Sequence, residues 1–127
     1  MLLTEYLSGI VEIINEYSET GLILSSELMA DARTEKIGMI KGTLTFIDDS
    51  KLFVTEYLDL RYKTEKLMYS VHYQDNKGNL IFRYDNASHK PSLPFSDHKH
   101  IKGNIRQSAA PSIKDILEEI IGDYLKA

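Results

Sequence analysis

Between Gly38 and Asp85 apolar and polar residues alternate with a period of two, broken only by short turn-forming clusters. That pattern admits little besides an antiparallel sheet laid down strand after strand. The first run sets Ile40, Leu44 and Phe46 on one face and Lys41, Thr43 and Thr45 on the other, and Asp48-Asp49-Ser50 then turns the chain. The second run aligns Leu52, Val54, Leu58 and Leu60, and puts Glu56 where the period demands an apolar residue. After the polar connection RYKTEK, Leu67, Tyr69, Val71 and Tyr73 alternate with Met68, Ser70, His72 and Gln74. Asp75-Asn76-Lys77-Gly78 reverses the chain into a fourth run, where Leu80, Phe82 and Tyr84 alternate with Ile81, Arg83 and Asp85.

Helical periodicity flanks this sheet. Leu3, Tyr6, Leu7, Ile10, Val11, Ile14 and Tyr17 form one stripe over residues 2–17, with Thr20-Gly21 as a stop. At the other end Pro111 or Ser112 opens a helix with Asp115 three residues after Ser112, and Ile113, Ile116, Leu117, Ile120, Ile121 and Tyr124 line one side. Both stripes read as packing surfaces. Residues 22–36 read as an irregular strand, and residues 86–103, which hold no sustained period, as a long ordered loop with one short strand. The expected architecture is α+β, one domain over residues 1–127. An antiparallel sheet of about four to five strands carries the N-terminal and C-terminal helices on one face and leaves the other free for chemistry.

Composition narrows the chemistry. The chain has 43% hydrophobic and 27% charged residues, as a packed domain does. It has no Cys, which excludes a disulfide framework, a thiolate zinc site and a cysteine nucleophile. No apolar run reaches bilayer length, and Glu5 and Glu12 interrupt the start, so the expected location is the cytoplasm, with no membrane contact. A net charge of -4 argues against a broad, nonspecific nucleic-acid coat. P-loop, GxGxxG, GxSxG and HExxH motifs do not occur.

All four histidines, His72, His89, His98 and His100, fall between residues 72 and 100, in company with Arg83, Asp85, Asp97 and Lys99. Strand parity puts His72, Arg83 and Asp85 on the face opposite the core. A two-residue loop would pair position 72 with 81 and a four-residue loop with 83; either keeps His72 within reach of Arg83. On the hairpin alone a solvated salt-bridge patch would look the same. The Asp97-His98-Lys99-His100 segment adds two imidazoles that point the same way if it is extended, and this weighs towards a site. Residues 83–106 hold five Lys or Arg (Arg83, Lys90, Lys99, Lys102, Arg106) against Asp85 and Asp97, a local basic surplus suited to a phosphate.

Two chemistries could use these groups, metal-free RNA cleavage or metal-dependent hydrolysis; the alternative to both is a non-catalytic protein- or RNA-binding module whose histidines only shape the loop. In metal-free RNA cleavage one imidazole takes the ribose proton and another protonates the leaving oxygen, for which His72 and either His98 or His100 are suited. Arg83 would clamp the phosphate, Asp85 would orient an imidazole or Arg83, and Glu56 could serve as a base if its strand face is wet. That reading needs no cofactor. Alternatively His98-x-His100 with Asp85 or His72 would form a nitrogen and oxygen metal site for Zn, Mn or Ni.

The succession GMIKGTLTFIDDSKLFVTEYLDL, YSVHYQDNKGNLIFRYDNASHKP, LPFSDHKH and PSIKDILEEI resembles the TumE-type toxins of prokaryotic toxin-antitoxin modules, over about residues 38–121. Its most specific pieces are FRYDNA (Phe82–Ala87) with His89 just after it, and HKH (His98–His100). The resemblance implies a small toxin acting on RNA and neutralised by a separately encoded antitoxin protein. It also implies functional roles for Glu56, His72, Arg83, Tyr84, Asp85, His89, His98 and His100. Tyr84, His89, Lys99 and Lys102 are the expected substrate contacts. Ser88 stands where a proline often follows the Ala, and Asp97 where the family commonly has His. An uncovered edge strand would let two copies pair as a homodimer.

Overall fold

A computed structural model describes residues 1–88 and 92–125. The elements run α1 (Leu3–Ser18), β1 (Ile23–Ala32), β2 (Ile37–Phe46), β3 (Lys51–Asp59), β4 (Glu65–Gln74), β5 (Leu80–Asp85), β6 (His98–Ile101), β7 (Asn104–Gln107) and α2 (Ile113–Asp123). Every strand pairs antiparallel with its predecessor, so spatial order equals chain order in one seven-stranded meander. The sheet therefore exceeds the expected four to five strands. The excess is β6, which falls in the expected loop of residues 86–103 as its one short strand, and β7, which lies beyond that loop; Gly103 and Lys102, both at positive φ, turn HKHI back against NIRQ. β7 is exposed along its whole length, and a strand with no buried face leaves no period to read.

The helices cover one face, as expected. Tyr6 of α1 reaches Glu56 of β3, and the Tyr124 ring that follows α2 packs on Tyr73 and Phe82 with centroids 5.7 and 5.9 Å apart. Leu44, Phe46, Leu52, Leu58, Tyr73 and Phe82 form the floor of this core, and Ile14, Ile116, Leu117 and Ile120 its roof. α2 starts on the expected capping box. Ser112 Oγ accepts from the Asp115 amide, and the Asp115 carboxylate accepts from the Ser112 amide. Gly38 is demanded by closeness: a Cβ there would lie 2.7 Å from Leu3 and 2.6 Å from the Asp31 carbonyl, where α1 meets the sheet. None of the described helices is long and apolar enough to cross a membrane.

One hairpin fixes the register on which the chemistry depends. The Asp75–Asn79 loop closes with the Asp75 carboxylate accepting from the Lys77 and Asn79 amides, and Gly78 has φ +85°. Pairing runs Tyr73↔Phe82 and then Gln74↔Leu80, so Ile81 is an extra residue. This bulge corrects one expectation: Leu80 is thrown outward, 49% exposed, and Ile81 packs at the edge of the core. Beyond the bulge His72 faces Arg83, the four-residue-loop register.

Candidate active site

The face away from the helices carries two rows of side chains that cross the strands. One runs Phe53↔His72↔Arg83↔His100 over β3 to β6, and the adjacent row runs Ser70↔Asp85↔His98 over β4 to β6. Parity alone forces this grouping, because residues two apart on a strand share a face and cross-strand partners sit side by side. The expected association of His72, Arg83, Asp85, His98 and His100 is thus what the register produces.

Asp85 is the hub. Its side chain is 4% exposed, and its Oδ2 accepts from Arg83 Nε at 3.1 Å while lying 3.3 Å from His100 Nε2. Its Oδ1 lies 2.8 Å from His98 Nε2 and also accepts from the Ala87 amide at 3.0 Å. A buried carboxylate is retained only where donors surround it, and here the donors include two imidazoles and a guanidinium. Asn86 ties the end of β5 down, its Oδ1 accepting from the Tyr69 amide and its Nδ2 donating to the Leu67 carbonyl.

The histidines differ in access. His98 is fully buried, with Nδ1 donating to the Ser96 carbonyl at 2.7 Å, so both ring nitrogens are engaged. Its ring lies 4.9 Å from that of His100, at 71°. His100 is 24% exposed, and with Leu80, Arg83, Asp85, Ala87 and Ser88 it lines an open depression of about 360 Å³. His72 is half-buried, with Nε2 on Gln74 Oε1 at 3.0 Å and Phe53 edge-on to its ring at 5.9 Å. Arg83 is 42% exposed, so its guanidinium keeps a face to solvent.

The remaining expected residues are not in this cluster. Glu56 is on the helix-covered face, where Tyr6 Oη donates to Oε1 at 2.7 Å and Lys66 Nζ lies 2.8 Å from Oε2. That face is dry, and the condition attached to Glu56 as a base is not met. Tyr84 and Lys99 also point to the helices: Tyr84 donates to Glu119, and Lys99 Nζ lies 2.7 Å from Glu119 Oε2 and over the Tyr84 and Phe82 rings. Burial and the Glu119 carboxylate push the Tyr84 hydroxyl well above its ordinary pKa, and burial and Glu56 do the same to Tyr6. Lys102 sits exposed in the β6–β7 turn, and His89 lies outside the described residues. Sequence reasoning missed two contributors. Phe53 follows from strand parity once Leu52 and Val54 are assigned to the core. The Ser96 carbonyl offers no side-chain signal.

A family model described as toxin TumE matches residues 10–126. The chain belongs to the TumE toxin family. No curated protein and no solved structure matches it. This TumE-family chain is therefore a toxin of a toxin-antitoxin module, for which the family implies an antitoxin partner. Within the TumE match, the FRYDNA and HKH segments supply Arg83, Asp85, Asn86, His98 and His100.

Proposed function

We propose that this toxin arrests growth by cleaving RNA in the cytoplasm, through general acid and base catalysis by imidazoles on the open face of the sheet. One observation carries the reading: Arg83, a partly exposed guanidinium, stands between His72 and His100 in a single row across three neighbouring strands. With strands about 4.8 Å apart, the two histidine backbones are separated by roughly 10 Å, which leaves space for a phosphodiester held on Arg83 with an imidazole on either side.

The roles follow from access. His100 is the second proton-transfer group in preference to His98, because His98 has no exposed surface. His72 and His100 exchange protons with the ribose hydroxyl and the leaving oxygen, a task suited to side chains that titrate near neutrality. Arg83 steadies the charge that builds on phosphate. His98 and Asp85 are positioning residues, the first locking the carboxylate and the second aiming Arg83 and His100. The antitoxin neutralises the toxin by covering this face.

The test is induction of the toxin without its antitoxin, with total RNA read for new 5′-hydroxyl ends. Wild type should arrest growth and generate them, and His72→Ala and Arg83→Ala should do neither while folding normally. Variants that stay fully toxic would sink the assignment. Growth arrest with intact RNA would show that the toxin acts on another target.

A further inference from the structure

We infer that Asp85, His98 and His100 form a binding site for a divalent transition metal of the zinc class, and that a bound metal switches the toxin off. The metal site stands on ligand geometry and does not depend on the RNA reading; its action as an off-switch rests on that reading.

His98 supplies the first argument. Its Nδ1 proton is given to the Ser96 carbonyl, so Nε2 turns its other valence towards Asp85 Oδ1 at 2.8 Å. A lone pair facing a carboxylate oxygen at that distance requires a cation between them, either a proton or a metal ion. An imidazole whose far nitrogen is anchored on a backbone carbonyl is also how metal-ligating histidines are oriented. Anchoring fixes the tautomer and aims the remaining nitrogen. Here it aims that nitrogen at an acid.

The second argument is convergence. One ligand atom from each of the three residues lies within 4.8 Å of the other two. Asp85 and His98 are cross-strand partners on β5 and β6, and His100 is two residues on along the same strand, on the same face. Metal–ligand bonds of about 2.0–2.1 Å in a tetrahedron put ligand atoms roughly 3.3 Å apart. Asp85 Oδ1 is 2.8 Å from His98 and its Oδ2 3.3 Å from His100, one contact inside that spacing and one at it, through the two oxygens of a single carboxylate. Small side-chain adjustments would close the set.

Ligand chemistry selects the ion. Two imidazoles and one carboxylate suit zinc, cobalt or nickel, whereas magnesium and calcium prefer shells of oxygen. Among the described residues three ligands converge, and the side of the cluster open to solvent is the depression lined by Arg83 and His100. Arg83 opposes binding, because its Nε holds Asp85 Oδ2 at 3.1 Å and its charge repels a dication. Its exposure lets it swing aside. A metal in place would occupy His100 and Asp85 together, removing a proton-transfer group and freeing Arg83 from its guide.

The experiment is calorimetric titration of the full chain, stripped with chelator, with ZnCl2 and separately with MgCl2. Cobalt(II) absorption reports the coordination. One zinc per chain should bind, magnesium should not, and cobalt should give the strong visible bands of a four-coordinate site. His100→Gln and Asp85→Asn should each weaken zinc by at least about 100-fold. His72→Gln should leave zinc affinity unchanged, and Arg83→Gln should tighten it several-fold. Asp85 is buried in its ion pairs, so the more exposed His100→Gln keeps the test sound if Asp85→Asn unfolds. Absence of stoichiometric zinc, or affinity indifferent to His100→Gln, would overturn the site. With RNA as substrate, cleavage should fall as zinc fills the site and return with chelator; cleavage that rises with zinc would overturn the off-switch and the metal-free mechanism together. Zinc binding beside a blank RNA assay would leave the site standing and remove the RNA reading alone.

Discussion

Two buried carboxylates, one on each face of the sheet, have opposite fates. Glu56 and Asp85 are each about as hidden, 5% and 3% exposed, and each is held by charged or polar donors. The partners differ. Glu56 is met by a lysine and a tyrosine hydroxyl, and the Tyr6 contact stitches α1 to the sheet. Asp85 is met by an arginine and two histidines, and imidazoles do exchange protons near neutrality. Lys99 and Glu119 repeat the inner pattern, pinning α2 to β6. The difference lies in the partners and in access to solvent: the inner carboxylate ties elements together, and the outer one stands beside the groups that the proposed chemistry would use.

The contrast can be broken from either side. The largest effect should come from the outer face, where Arg83→Ala or His72→Ala should lower the rate of RNA cleavage by roughly 10²–10⁴-fold. Thermal melts should stay near wild type, because both side chains are partly exposed. Inner-face changes should do the reverse. Glu56→Ala takes the acceptor from Tyr6 and the counter-charge from Lys66, which keeps the Pro111 carbonyl, and should cost about 2–4 kcal/mol in urea unfolding, with cleavage kept in the fraction that folds.

Alkali should sharpen the same division. Tyr6, Tyr69 and Tyr84 donate to Glu56, Asp97 and Glu119, and burial with those acids raises each hydroxyl above its ordinary pKa of 10.0. A raised folded pKa means stability present below about pH 10 and lost as pH climbs further, since the unfolded chain ionises first. Unfolding followed from pH 8 to 11 should show this loss, and Tyr6→Phe with Tyr84→Phe should flatten it. The smallest effect belongs to Asp75, whose carboxylate is held below its ordinary 3.8 by the backbone amides of Asn79 and Lys77 in the β4–β5 turn. Its contribution is present above about pH 4 and lost as pH falls through the folded value. Asp75→Asn should weaken amide protection in the hairpin at pH 6 and make little difference at pH 3, as read by hydrogen exchange.

Much of the site was legible because a strand's period is strict. His72, Arg83 and Asp85 were bound to share a face, and the loop length limited the pairing of 72 to two choices, one of which is the observed register. The same rule carried Lys99 away from its neighbours, since His98 and His100 cannot face outward unless Lys99 faces in. Charge had suggested that Lys99 meets substrate, and parity overrules charge once HKH is a strand. Tyr84 follows the same logic, standing between Phe82 and the helix layer. The β6–β7 hairpin was not legible, because four residues without a buried side leave no pattern.

The sequence by itself determined the meander, the two covering helices and the company of the outer-face residues, since those follow from periods of 2 and 3.6 and from short turns that bring consecutive strands together. Only the tertiary structure decided which carboxylate would meet imidazoles on the open face and which a lysine and a tyrosine under the helices. Glu56 meets Tyr6 from fifty residues away, and His98 meets Asp85 across the long connection between β5 and β6. Such pairings arise from where whole elements come to rest, and no local pattern encodes that position.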